Sequence, residues 1–138
     1  MAAGQLKVRL VTPDRILVDE TADAVEVPTK TGYVEVLYGH APLLAEVGAG
    51  EVRLHGASAE HHYSVARGFL EVLPDRVTIL AETAQKPEEI DSAAARQQLE
   101  RGQQLWNEAG EDAHKYEQAN EMIAEAEAKL ESAGAKHG

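Results

Sequence analysis

The sequence predicts an α+β fold: an N-terminal antiparallel β-sandwich followed by a C-terminal antiparallel two-helix hairpin. Three observations predict it. From Leu6 to Leu80 apolar residues alternate with polar ones at period two, the pattern of strands with one wet face. Turn signals interrupt the alternation at short intervals, at Thr12-Pro13-Asp14, Gly48-Ala49-Gly50, Gly56-Ala57-Ser58 and Pro74-Asp75, as a sandwich or barrel requires. Beyond Pro87 the apolar spacing changes to threes and fours, which is helical. That change divides the chain into domains 1–87 and 88–138.

The elements follow in order. Leu6, Val8 and Leu10 mark a first strand, Arg15 to Asp19 a second, and Val25 and Val27 a third that stops at Pro28. Tyr33 to Leu37 is a β-prone run broken by Gly39-His40-Ala41-Pro42 before Leu43 and Leu44 resume. Pro42 stiffens that corner and Gly39 frees its backbone, so the corner holds His40 still. Val52 and Leu54 pair across the Ala57-Ser58 turn with a strand carrying His61, Tyr63 and Val65. A further strand spans Gly68 to Leu73, and Val77 and Ile79 lie in the last.

In the second domain Asp91 caps a helix with the seam Ala95, Leu99, Gly102, Trp106 and Ala109, which Gly110 ends. Asp112 caps the next, whose seam is Tyr116, Ala119, Ile123, Ala126, Leu130 and Ala133, with Gly134 as its stop. Folded about the glycine turn, Trp106 meets Ala119, Gly102 meets Ile123, Leu99 meets Ala126 and Ala95 meets Leu130. Each large residue faces a small one, so the helix axes can approach closely.

Composition excludes several function classes. With no cysteine there is no thiolate metal site, disulfide or cysteine nucleophile. A net charge of -11 disfavours nucleic acid and anionic lipid. No segment approaches the ~20 apolar residues of a membrane span, and the N-terminus has no leader pattern. No phosphate loop and no nucleophile elbow is present, so no catalytic residue, cofactor or metal is expected. His61-His62 is the best metal candidate, but strand neighbours point to opposite faces. Pairing about the turn puts His62 outside, opposite Arg53, and His61 inside, opposite Leu54.

An antiparallel sandwich carrying Gly39-His40-Ala41-Pro42-Leu43, followed by a helical hairpin, resembles the epsilon subunit of the F-type rotary ATP synthase. The likeness runs through Val8 to Leu17, the Gly32 to Leu44 stretch, Arg67 to Val72, and Val77 to Ala84 leading into Ile90-Asp91. The resemblance implies a non-catalytic rotor subunit of the central stalk in a proton-driven synthase. Its partners would be the gamma subunit and the c-subunit ring, with the catalytic alpha and beta subunits in reach of the hairpin. Its place would be peripheral, on the cytoplasmic face of the bacterial inner membrane, touching the membrane only through the complex. The implied ring-facing residues are Thr29, Lys30, Thr31, Gly32, Tyr33, Glu35, Gly39 and His40, with Glu35 and Tyr38 departing from the family pattern. ATP-binding members carry an arginine four residues after the Ile-Leu position, whereas here Ile90 and Asp91 are followed by Ala94.

Two other readings use the same residues. One is a stand-alone sandwich that binds a small ligand and dimerises through its hairpin; the other is a metal-dependent sandwich enzyme.

Overall fold

A computed structural model describes residues 4–56 and 60–137, with side chains to residue 134. Eight strands form in order: β1 Leu6–Val11, β2 Ile16–Ala22, β3 Ala24–Thr29, β4 Gly32–Leu37, β5 Leu43–Val47, β6 Gly50–His55, β7 Glu60–Leu73 and β8 Arg76–Gln85. A single 3-10 turn, Pro87–Glu89, leads to α1 Ser92–Glu108 and α2 Ala113–His137. The sheet path is β2-β1-β8-β7-β5-β3-β4, with β6 bridging β3 and β7. All pairings are antiparallel except β1 with β8.

The sandwich closes through one crease. Along β7, Tyr63 and Val65 face inward but so do Leu70 and Val72, so the inward phase switches parity between them. The same switch occurs from Val47 to Val52 across β5 and β6, and from Ala81 to Ala84 in β8. Val47, Gly68 and Ala81 are register partners at this line. At the crease Arg67 has φ 56 and Gly68 φ 140. A side chain at residue 68 would run into the Leu80 carbonyl, so glycine is required for both reasons. The crease explains why the expected two strands, His61 to Val65 and Gly68 to Leu73, are one strand. The period breaks, but the ladder does not.

Inside, Leu6, Leu10, Leu70 and Ile79 are fully buried among valines contributed by every strand from β1 to β8. Several boundaries differ from expectation. Pro28 lies within β3, paired with Tyr33, where its carbonyl still accepts from the Gly48 amide at 3.0 Å. β2 extends to Ala22 because β1 offers partners that far. Gly134 does not stop α2, which continues to His137. His61 is exposed rather than inside, since it lies at the strand end beyond the layer closed by Tyr63. Its register with Leu54, and that of His62 with Arg53, are as expected; the Ala57-Ser58 turn lies outside the described residues.

The hairpin forms where the caps place it. The Asp91 carboxylate accepts from the Ala94 amide at 3.1 Å, the Asp112 carboxylate accepts from the amides of His114 and Lys115, and Gly110 turns the chain at φ 58. A β-carbon on Gly102 would lie 2.7 Å from Ile123 Cγ1, so the expected close approach is realised. α2 also packs on β6, β7 and the 3-10 turn.

Candidate functional site

Among the described residues no three His, Asp or Glu side chains are arranged to hold a metal ion. No described helix is long and apolar enough to cross a membrane. What the fold presents instead is surfaces. Phe69 is paired with Leu80, Leu80 with Val11 and Val11 with Ile16, and register partners share a face. Phe69, Leu80 and Ile16 are 63%, 52% and 53% exposed, and nearby Leu44 on β5 is 76% exposed. They form an apolar row across β7, β8, β1 and β2, with Leu44 alongside. Isolated exposed apolar residues are ordinary, but a contiguous row marks a contact face. The sequence reading missed it. The available signal was the apolar residue in the outer phase of each alternation, such as Leu44 directly after Leu43 or Leu80 directly after Ile79.

A second surface is already occupied. The positive φ at Arg67 directs its guanidinium outward, where it donates to Glu82 and to Glu125 of α2, both at 2.9 Å. Glu125 is also 3.3 Å from Lys129, and Lys30 reaches Glu46 and Glu121 at 3.6 and 3.9 Å. Burial pushes the Glu125 pKa up, but the hydrogen bond from Arg67 and the charges of Lys129 and Arg67 outweigh it and hold the carboxyl below its ordinary range. The acidic helix is thus held down by bases of the sandwich.

The expected ring-facing residues fall into two groups. Thr29, Lys30, Thr31 and Gly32 make the β3–β4 turn, in which the Thr29 hydroxyl donates to the Gly32 carbonyl. Gly39 and His40 lie beyond the other end of β4, so about 20 Å of strand separates the groups. At that corner Gly39 has φ 91, its amide donates to the Pro74 carbonyl at 2.7 Å, and half-buried His40 donates through Nδ1 to the Ala41 carbonyl at 2.6 Å. Tyr33 and Glu35 project from β4 itself. The Tyr33 hydroxyl accepts from the Glu51 amide at 3.1 Å, and Glu35 is exposed.

In the hairpin, Leu99, Ile123 and Leu130 are half-buried, and Trp106 is 43% exposed with its ring edge-on to Tyr116 at 4.6 Å. Ile90 precedes the Asp91 cap, and Ala94 is an exposed first-turn residue whose amide is engaged by that cap. Position 94 therefore offers no cationic side chain.

Comparison with known proteins identifies the frame that carries these surfaces. The family model of the ATP synthase, Delta/Epsilon chain, beta-sandwich domain matches residues 5–87. The ATP synthase epsilon chain of Koribacter versatilis is 42% identical over 108 residues, covering 78% of this chain and 76% of that one. The ATP synthase epsilon chain of Microcystis aeruginosa is 35% identical over 131 residues, covering 94% and 95%. Among solved structures, a chain of the Euglena gracilis mitochondrial ATP synthase OSCP/F1/c-ring structure matches with a TM-score of 0.79 at 23% identity, covering 96% of this chain and 83% of that one. With a sandwich model over residues 5–87 and relatives that align into the hairpin, this chain belongs to the ATP synthase epsilon chain family.

Proposed function

We propose that this chain is a non-catalytic rotor subunit that couples rotation of a c ring, through gamma, to ATP synthesis in a proton-driven enzyme. It would work on the cytoplasmic face of a bacterial inner membrane, reaching the membrane only through the complex. The observation that carries the reading is the apolar row of Phe69, Leu80, Val11 and Ile16, left open while the hairpin covers another face. An apolar row of this kind suits a permanent partner, as obligate interfaces are the apolar ones, and gamma is its proposed occupant. Residues 1–87 would supply this binding, and the hairpin a regulatory element.

The test is co-purification with gamma. Phe69→Asp with Leu80→Asp should abolish it while leaving cooperative unfolding of the free chain intact, because both side chains already face water. Retention of gamma by the double variant would refute the assignment. Ring contact can be resolved separately by cross-linking from Thr31→Cys and from His40→Cys. The two lie at opposite ends of β4, so a ring docked on one end of the sandwich should capture only one of them.

The hairpin's charge limits its regulation. From Asp112 to Ala133 six acidic residues stand against Lys115 and Lys129, so an acidic partner segment would be repelled. Inhibition of hydrolysis should be feeble or steric, and raising the salt should not relieve it. Hydrolysis by the catalytic head with full-length and truncated chains checks this; strong, salt-sensitive inhibition that needs the hairpin would overturn it. Magnesium-ATP should bind weakly, since no guanidinium stands at position 94 to grip the phosphates. A micromolar affinity by calorimetry would refute that expectation.

A further inference from the structure

We propose that the free edge of β4 binds an extended segment of another polypeptide as an added strand, with a basic residue of that segment opposite Glu35. The inference goes beyond the rotor reading and uses none of the residues assigned to gamma.

The sheet path ends on β2 and β4, and the two ends differ. β2 carries devices that blunt an edge. Its register with β1 slips at Leu10/Val11, and exposed Glu20 stands in the inward phase between buried Val18 and Ala22. A bulge and an inward-phase charge both discourage strand addition. β4 carries neither. Its six pairs with β3 run without a slip from Ala24–Leu37 to Thr29–Gly32, and its inward-phase residues are half-buried Val34 and buried Val36.

Backbone bonding shows what this edge offers. The Pro28 carbonyl accepts from the Gly48 amide, on the side away from β4, so Pro28 and Tyr33 form a non-hydrogen-bonded pair. The alternation then turns the backbone groups of Tyr33, Glu35 and Leu37 to the open edge and those of Val34 and Val36 to β3. Of the outward groups only the Leu37 carbonyl has a partner among the described residues, the His40 amide at 3.1 Å. Tyr33 and Glu35 each leave an N–H and a C=O for an incoming strand.

Side chains set the partner. Tyr33 and Leu37 are 55% and 51% exposed and flank exposed Glu35 on the outer face. Cross-strand pairing favours apolar residues opposite the first two and a cation opposite the third. A second copy paired antiparallel about Glu35 would set two carboxylates opposite each other, which is unfavourable. The occupant is therefore a foreign strand in which a basic residue alternates with apolar ones on one face. Main-chain bonds supply its affinity, and that pattern its selectivity.

The probe is a seven-residue peptide alternating threonine and valine, with lysine in place of the central valine. It is titrated into the full chain, and amide exchange is followed by NMR. In the free chain the amides of Val34 and Val36 should exchange slowly and those of Tyr33 and Glu35 fast; the peptide should slow the latter two. N-methylation of the lysine, whose amide faces β4 in this pairing, should abolish the protection, whereas N-methylation of an adjacent threonine, whose amide faces away, should not. Glu35→Lys should weaken the lysine peptide by about threefold or more and strengthen one with a central glutamate, the effect of one cross-strand charge pair. Absence of slowing at Tyr33 and Glu35 would overturn the proposal. So would binding that survives lysine N-methylation, which would mean adhesion to the Tyr33 and Leu37 side chains without an added strand. Slowing of the same amides with rising chain concentration alone would assign the edge to a second copy and overturn the foreign strand.

Discussion

The sandwich and the hairpin use the same small alphabet of apolar residues to different effect. In the sandwich, leucines, isoleucine and valines from opposed layers are fully buried. In the hairpin the buried seam positions are Ala95, Gly102, Ala109, Ala119, Ala126 and Ala133, while Leu99, Ile123 and Leu130 stay half-buried and Trp106 is 43% exposed. Two layers enclose a volume, whereas two helices share only a line of contact. Fully burying a leucine is worth roughly 1.5–3 kcal/mol and an alanine methyl under ~1 kcal/mol. The hairpin therefore borrows stability from the sandwich, through Glu125, Ala128 and Ser132 buried on α2.

The largest expected difference comes from cutting the two regions apart. Residues 1–89 should unfold cooperatively on their own, because the core lies entirely within β1 to β8. A peptide of residues 88–138 should be largely unstructured, since its seam buries little. The cut is better made after Glu89 than at Lys86, because Glu89 is tied back to the sandwich by Arg15 at 2.7 and 2.9 Å. Circular dichroism melts of both pieces decide the matter, and a stable isolated hairpin would refute the borrowing. Within the full chain, Leu70→Ala should cost about 2–5 kcal/mol, and Ile123→Ala about half that or less because its site is open to water. Urea titration measures both, and equal losses would mean that the two regions are packed alike.

Legibility in the sequence divides along the same line. Alternation, caps and the Gly102–Ile123 approach were readable because each depends on neighbours one to four residues apart, or on a short turn. The crease was not, since the parity switch at Arg67–Gly68 makes sense only beside matching switches in β5–β6 and β8. The parallel β1–β8 pair has no local signal either. Of the candidate site, the β4 residues were found as a stretch but not as two separated ends. The apolar row went unseen because its members come from four strands.

The next effect is on docking. Glu125→Ala removes a carboxylate that is 9% exposed and paired with Arg67. The expected cost is about 1–2 kcal/mol, below that of breaking a fully buried pair, because Arg67 is 36% exposed and keeps Glu82. Hydrogen exchange in residues 60–67 should rise accordingly. The pH dependence has a definite sign. Glu125 has a lowered pKa in the docked state, so its contribution is complete above the ordinary carboxylate range and is lost as pH falls through the lowered value. Docking that strengthened on acidification would show that Arg67 is not the partner that matters.

The smallest effect concerns the joint between the regions. Glu89 receives both nitrogens of the Arg15 fork, and its carboxylate also accepts from the Lys86 amide at 2.8 Å. The hydrogen bonds from Arg15, then from that amide, lower its pKa to about 2 despite slight burial. The associated stability is present above pH ~4.5 and disappears as pH falls toward 2. Both side chains are well exposed, at 43% and 33%, so solvent and salt screen the pair and little global stability is at stake. What the clamp controls is local: it fixes the 3-10 turn to the β1–β2 corner. Arg15→Gln should leave the melting temperature nearly unchanged yet speed cleavage by a glutamate-specific protease after Glu89, while cleavage after Glu71 in β7 stays slow. Equal acceleration at both sites would mean that the whole sandwich had loosened, and that the clamp belongs to the core rather than to the joint.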